Sequence, residues 1–208
     1  MPSRPRGPRH VATALVAVVL SALPIPAVAD HATQPHFQSG VVLTVIDEIA
    51  PRVEATIRRR RRVVARPRGE WRAGRDEVLG AYSAATGLTF SVVEQRGSWY
   101  EEPATFEEKE AQYQGEGYVR VALGPTPYAT QKLDAGGHAV AGHLVAAVPT
   151  RDSPYIGLFC HELGHVLGLD HRAGGCMDYA DVTGYELPDA HDLEALSALY
   201  AHQDRSSG

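Results

Sequence analysis

The chain has 208 residues, of which 44% are hydrophobic and 22% charged, and its formal net charge is −5 at pH 7. An acidic chain lacks the basic surface that general nucleic-acid binding requires. No internal repeat is visible, and the length suits one domain with a core of its own.

Residues 1–29 have the three parts of a secretory signal peptide. Three arginines make the start basic, residues 11–23 form an apolar run, and Ala27, Val28 and Ala29 form a small-x-small cleavage site. The apolar run is well short of the roughly 20 residues that a membrane-spanning helix needs. We therefore expect a secreted, extracellular protein with no stable membrane association. Its mature charge would be −8, because cleavage removes three basic and no acidic residues.

The predicted N-terminal segment, residues 30–69, contains one strand and a basic run. Residues 40–46 are rich in β-branched side chains and predict the first strand. Five consecutive arginines, Arg58 to Arg62, form either a solvated loop or a processing site that releases a short pro-segment. An inhibitory pro-segment would have to place a ligand on a metal ion. No cysteine lies in this part of the chain, so that ligand would be a carboxylate such as Asp47 or Glu48.

Helices and strands alternate along the rest of the chain. Residues 71–85 place apolar side chains at helical spacing and are followed by Gly87, so they predict a helix. Alternating or β-branched sequence predicts three more strands, at residues 88–93, 118–123 and 138–148. The acidic stretch at residues 101–110 is interpreted as a solvated loop, and no regular ligand spacing supports Ca2+ binding there. Two later helices are predicted, at residues 156–168 and 189–202.

Residues 161–171 read H-E-L-G-H-V-L-G-L-D-H, a pattern that indicates a metal site. The stretch begins in the first of these two helices. His161 and His165 are four residues apart, so on a helix their imidazoles project from one face, one turn above the other. Two imidazoles at this spacing can bind one zinc ion with Zn–N bonds of about 2.0–2.1 Å. Glu162 takes another face and can reach a water at the metal, where a general base for hydrolysis belongs.

The end of the same stretch supplies a third ligand. Gly168 lies three residues after His165, where a glycine can end the helix and turn the chain back beneath the metal. His171 then follows as the third ligand. Three protein ligands leave the fourth position open, which is typical of a catalytic rather than a structural zinc.

These residues resemble the H-E-x-x-H-x-x-G-x-x-H signature of the metzincin zinc peptidases. Met177 resembles the methionine of the metzincin Met-turn, which lies beneath the zinc-binding imidazoles. Tyr179, two residues further, resembles the tyrosine of serralysins and astacins that can touch zinc and then move to the substrate, although the single-domain size is closer to the matrixins. The resemblance implies catalytic roles for Glu162 and Tyr179. It also implies a zinc ligand set of His161, His165 and His171.

The order of the predicted elements is the one that the metzincin resemblance implies. It implies an α+β, zincin-like catalytic domain over residues 40–203, with a twisted mixed sheet, a backing helix, an active-site helix and a C-terminal helix, before a flexible tail at 204–208. In metzincins the edge strand above the cleft pairs with the substrate backbone, and by position that strand would be residues 141–148. His138 and His143 resemble part of the structural zinc site of matrixins. Without the accompanying aspartates we interpret them as ordinary strand histidines.

Two cysteines flank the motif. Cys160 immediately precedes His161, and Cys176 immediately precedes Met177. An even count in an exported protein favours a disulfide, which would tie the Met-turn to the zinc helix. Free buried thiols and a thiol ligand to zinc are the alternatives. We favour the disulfide because three histidines already fill the protein ligand set.

We therefore expect a secreted zinc metalloendopeptidase with one catalytic Zn2+ ion, a protein or peptide substrate and a monomeric state. The alternatives are another secreted zinc amide hydrolase, acting on cell-wall peptide, and a non-catalytic zinc-stabilised binding protein. The presence of Glu162 argues against the last of these.

Overall fold

The computed structural model describes residues 35–51, 70–96, 115–124, 126–147, 156–178 and 187–201. Within these ranges the chain forms a mixed α+β fold with one five-stranded sheet and three helices. None of the helices in these ranges combines the length and the apolar character that crossing a membrane requires. Several expectations lie outside the described residues, namely the signal peptide, the arginine run, the acidic stretch, Tyr179 and the C-terminal tail.

The sheet is mostly parallel. The strands are β1 Val42–Asp47, β2 Thr89–Glu94, β3 Tyr118–Gly124, β4 Tyr128–Leu133 and β5 Ala139–Ala147, and the helices are α1 Glu70–Thr86, α2 Ile156–Leu167 and α3 Ala190–Tyr200. The strands lie in the order β2-β1-β3-β5-β4. All neighbouring pairs are parallel except β4 and β5, which are antiparallel. The mixed sheet and the three helices confirm the predicted α+β class and are compatible with a zincin-like fold.

The predicted helices and strands are present, with ends that differ by one or two residues from those expected, but β4 is an additional strand. Its sequence, Tyr-Ala-Thr-Gln-Lys-Leu, is polar and none of its side chains is fully buried, so no apolar run marks it. The prediction that residues 141–148 form the edge strand is wrong. β5 pairs with β3 on one side and β4 on the other, because the chain turns back at residues 134–138 and places β4 outside β5.

One face of the sheet packs on the helices and forms the main core. The buried alternate residues of β1, β3 and β5 on this face are Leu43, Val45, Val119, Val121 and Leu144. Every residue of α2 except His165 is buried. A side chain at Gly142 of β5 would overlap Val166 of α2, so this glycine allows close approach of the helix to the sheet. α2 is therefore held firmly where it carries the candidate ligands.

An ion-pair network centred on the buried Asp47 and Arg75 holds α1 against β1 and β2. Asp47 accepts hydrogen bonds from the Trp71 indole at 2.9 Å and from Arg75 Nη1 at 2.5 Å. Arg75 also contacts Glu94 at 3.1 Å. Hydrogen bonds from Arg72, and then from Arg75, lower the pKa of Glu94 to about 2. Asp47 thus has a structural role, which argues against the sequence hypothesis that it could block a metal ion.

Candidate metal centre

Three histidines meet beside the C-terminal half of α2. His161 and His165 project from the helix, and His171 comes from the loop that follows it. Their Nε2 atoms are separated by 3.2 Å (His161–His165), 3.1 Å (His161–His171) and 3.0 Å (His165–His171). Three nitrogens bound to one tetrahedral zinc ion at about 2.0–2.1 Å would lie roughly 3.3 Å apart. The spacing therefore fits a single zinc ion.

The other ring nitrogens of the two helical histidines bind backbone carbonyls. His161 Nδ1 lies 2.8 Å from the carbonyl oxygen of Cys176, and His165 Nδ1 lies 2.7 Å from that of Leu169. A carbonyl oxygen only accepts, so Nδ1 carries the hydrogen and donates in both rings. In the neutral rings the Nε2 lone pairs are then directed into one small space with no hydrogen between them. Such second contacts are typical of metal-binding histidines.

Burial favours the neutral form of these rings. It lowers the pKa of His161 to about 4 and also lowers the pKa of His165. Neutral imidazole is the form that binds a metal ion. In the part of the chain that the structure describes, the triad is the only group of three or more His, Cys, Asp or Glu side chains close enough to hold one.

Gly168 ends α2 and redirects the chain. Its φ is +105°, which glycine adopts readily and other residues rarely do. The Leu169 N–H donates to the carbonyl of Gly164 at 2.9 Å and closes the last turn of the helix. The chain then places the Leu169 carbonyl against His165 and returns His171 to the other two ligands.

Glu162 follows the first helical ligand and is only 5% exposed. Desolvation by burial raises its pKa to about 7. A carboxyl group with this pKa can both accept and release a proton near neutral pH. General acid–base catalysis is most efficient when the pKa lies near the operating pH.

Met177 packs against the turn of α2 that carries both helical histidines. It is fully buried, and any side chain at Gly164 would overlap its sulfur. A glycine inside a helix costs roughly 0.5–1 kcal/mol relative to alanine, so close packing is the physical reason for this one. Met177 therefore lies against the part of α2 between the two helical histidines.

The expected disulfide joins Cys160 and Cys176, with a Cα–Cα distance of 5.9 Å. Tyr82 of α1 donates to the Cys160 carbonyl at 3.0 Å, and its oxygen lies 3.4 Å from both sulfur atoms. Burial raises the pKa of Tyr82, so its hydroxyl remains a donor. The bridge fixes the same Cys176 whose carbonyl accepts from His161, and it thereby ties the segment before Met177 to α2.

His138 and His143 do not join the triad. Burial, and then the charge of Arg120, lower the pKa of His143 to about 3. Its ring contacts Tyr128 edge-on at a centroid distance of 5.8 Å on the side of the sheet away from α2. This environment agrees with the interpretation of His143 as an ordinary strand histidine. His138 lies in the turn just before β5, where it contacts Asp134 at 3.7 Å, so its assignment to a strand is wrong.

Some residues that support the site were not identified from the sequence. Gln131 of β4 donates from Nε2 to the Val166 carbonyl at 2.7 Å and to the Pro35 carbonyl at 2.6 Å. It therefore binds the last turn of α2 to the edge strand and to the N-terminal segment. Neither Gln131 nor Tyr82 lies in a recognisable motif, whereas the glycine at position 164 inside a helix was a usable signal.

Comparison with known proteins adds little. No family model matches the chain, and no curated protein matches it. Among solved structures, it is similar to High choriolytic enzyme 1, a hatching enzyme zinc-protease from Oryzias latipes (Medaka fish). The identity is 15%, and the match covers 65% of this chain and 50% of that chain at a TM-score of 0.33. The chain thus matches half the length of that structure, and a likeness this weak assigns no function.

Proposed function

We propose that the chain is a secreted zinc metalloendopeptidase of the metzincin type. The observation that carries the proposal is the convergence of three imidazole Nε2 atoms within 3.2 Å of one another, next to a buried glutamate. Two of the rings are oriented by backbone carbonyls, as metal-binding histidines usually are. The disulfide supports export, because such bridges persist mainly in oxidising compartments.

Zinc held by His161, His165 and His171 would lower the pKa of a water to about 7 and polarise the scissile carbonyl. Glu162 accepts the proton of the attacking water and then donates it to the leaving amine. Burial raises the pKa of Glu162 in the metal-free chain, and this favours its holding a proton between the two steps. The burial of Glu162 keeps bulk water away from that proton.

The substrate is proposed to bind as an extended peptide along β4. Among the described strands β4 is the outermost one, beside β5, and the outermost strand of a sheet is where an extended peptide can add. Gln131 binds β4 to the end of α2, so this strand lies beside the helix that carries the candidate ligands. β4 takes the role that the sequence assigned to residues 141–148.

Glu162→Gln should bind zinc as the wild type does and hydrolyse casein at least about 10²-fold more slowly, because it removes the proton acceptor without removing a ligand. Zinc content and casein cleavage are measured on the same samples. Glu194→Gln is the matched control, since Glu194 is an exposed residue of α3, and it should leave both properties unchanged.

Each other outcome has a distinct meaning. Substantial activity in Glu162→Gln would show that another base acts or that the reaction is different. A wild-type chain that binds zinc and cleaves cell-wall peptide but not casein would be the alternative amide hydrolase. A chain that binds zinc and cleaves neither would be a zinc-stabilised binding protein.

Tyr179, outside the described residues, is proposed to donate its hydroxyl to the oxyanion of the transition state. One such donor is typically worth about 10²–10³ in rate. Tyr179→Phe removes only the hydroxyl, so kcat should fall by about that factor while KM remains nearly unchanged. Steady-state kinetics with a peptide substrate measure both constants. A kcat within about twofold of the wild-type value would leave Tyr179 with a structural role only.

A further inference from the structure

Arg172, the residue after the third histidine, is bound by the first turn of α3. Its Nε donates to Asp192 Oδ1 at 2.7 Å, and its Nη2 contacts Asp189. Its Nη1 donates to the carbonyl of Ala173 at 2.8 Å. The Arg172 side chain is 11% exposed and that of Asp192 1%, so this pair is largely out of contact with water, whereas Asp189 is 40% exposed.

The two carboxylates are already fixed by the capping of α3. Asp189 is the N-cap residue and accepts from the N–H groups of His191 at 2.9 Å and Asp192 at 3.0 Å. Asp192 in turn accepts from the Asp189 N–H at 3.2 Å. This capping box holds both carboxylates in place, so Arg172 binds a pair of acceptors that is already arranged.

The loop passes tightly over this ion pair at Gly175. Its φ is +63°, and an added Cβ would lie 2.7 Å from Asp192 Oδ2 and 2.8 Å from Arg172 Nη2. The Arg172 N–H also donates to the Met177 carbonyl at 3.2 Å. Arg172 thus connects α3, the Met-turn and the loop that carries the third ligand.

His171 lies in this loop, after the end of α2. The other two ligands are fixed by α2, whereas His171 is an exposed side chain beyond the end of the helix and directly precedes Arg172. We infer that Arg172 is a positioning residue for the third zinc ligand. By anchoring the loop to α3, it keeps His171 Nε2 at 3.0–3.1 Å from the other two nitrogens. This inference depends on the proposed metal site.

The test measures the zinc Kd of the full chain by chelator competition, well below the unfolding temperature, together with the visible spectrum of the Co2+-loaded protein. Arg172→Met removes the guanidinium and keeps an apolar stem. Its zinc Kd should rise about 10-fold, within the range of metal affinity that is typically lost when residues that support a metal ligand are mutated. The Co2+ spectrum should change as well. Arg172→Lys keeps the charge but not the planar fork, and should give a smaller rise.

Arg75→Met is the matched control. Arg75 is also a buried arginine paired with carboxylates, those of Asp47 and Glu94, but it lies among elements that carry no histidine ligand. Its loss should lower the thermal stability and leave the zinc Kd within about twofold of the wild-type value, because distant sites act independently.

The inference is overturned if Arg172→Met binds zinc as tightly as the wild type, or if Arg75→Met weakens zinc binding as much as Arg172→Met does. If Arg172→Met does not fold, Arg172→Lys and Arg75→Lys are compared by the same criteria. Absence of zinc binding by the wild-type chain would overturn the metal site itself, which is a different result from an unchanged Kd in the variants.

Discussion

Gly164 lies between the two helical histidines, on the side of α2 that faces Met177 and Tyr82. An added Cβ would overlap the Met177 sulfur and lie 3.1 Å from the Tyr82 oxygen. Both neighbours are fully buried, so neither can move aside without disturbing the core. The glycine therefore sets how closely Met177 approaches the helix that carries the candidate ligands.

Gly164→Ala should destabilise the protein by about 1–2 kcal/mol, because the cost of overpacking exceeds the gain in helix propensity. Urea unfolding in EDTA measures the change without a contribution from zinc. Gly80→Ala in α1 is the control, since an added Cβ there meets nothing within 4 Å, and it should stabilise by about 0.5–1 kcal/mol. Equal stabilisation by both substitutions would contradict the proposed packing role of Gly164.

At the scale of residues, the sequence predicts the candidate ligands better than the residues that support them. His161, Glu162 and His165 are recognisable because the chemistry requires a local spacing. Tyr82 and Gln131 act through contacts with residues 78 and 35 positions away, so no local pattern indicates them. Their roles depend on how α1 and β4 pack against α2, which only the folded chain shows.

At the scale of elements, α2 was predictable and β4 was not. α2 combines an apolar sequence, histidines at helical spacing and a glycine at its end. β4 is polar, and it forms a strand because β5 offers an unpaired edge after the turn at residues 134–138. That edge is a property of the assembled sheet. The sequence therefore assigned the edge to β5, which is internal in the fold.

The disulfide joins two elements, so its removal should affect both stability and zinc binding. A Cys160→Ala/Cys176→Ala variant should lose about 3 kcal/mol, as expected for a loop of this size. Its zinc Kd should also rise, because the bridge fixes the Cys176 carbonyl that orients His161. Urea unfolding and chelator competition, each with and without reductant, measure the two effects.

The wild type and the double variant are compared with and without reductant. The chain has two cysteines, so reductant can act only on this bridge. Reductant should bring the wild type to the stability of the double variant and should leave the variant itself unchanged. The opening of the bridge by the reductant is checked separately. If the unfolding midpoint of the wild type then stays unchanged, the disulfide adds no stability.

At the scale of the whole molecule, the sheet separates two polar regions with different roles. The candidate metal centre lies on the α2 side. On the other side, Arg120 of β3 and His143 of β5 are neighbours in register, and Arg120 Nε donates to Glu48 at 2.8 Å. Glu48 and His143 are both buried, at 3% and 4% exposure. Glu48 is thus bound by Arg120, which argues against a role as a metal-blocking carboxylate.

His143 should make the folded protein less stable as the pH falls below about 6.5. Burial and the charge of Arg120 lower its pKa to about 3, whereas in the unfolded chain it titrates near the ordinary value of 6.5. Between these values the unfolded state binds a proton that the folded state does not. The free energy of unfolding therefore falls by up to about 1.4 kcal/mol per pH unit, and above about pH 7 His143 contributes no pH dependence.

Urea unfolding of the wild type and of His143→Gln, at pH 5–8 in EDTA, tests this prediction. EDTA removes zinc, and with it the pH dependence that zinc binding would add. Taking the difference in unfolding free energy between the two proteins cancels the titration of distant groups. Glu94 affects stability in a lower pH range. Its pKa in the folded protein is about 2, below the usual 4.5, so its stabilisation is lost only as the pH falls below 4.5. Relative to the wild type, His143→Gln should gain stability steadily from pH 7 down to pH 5. A constant difference over that range would mean that His143 accepts a proton within the folded protein.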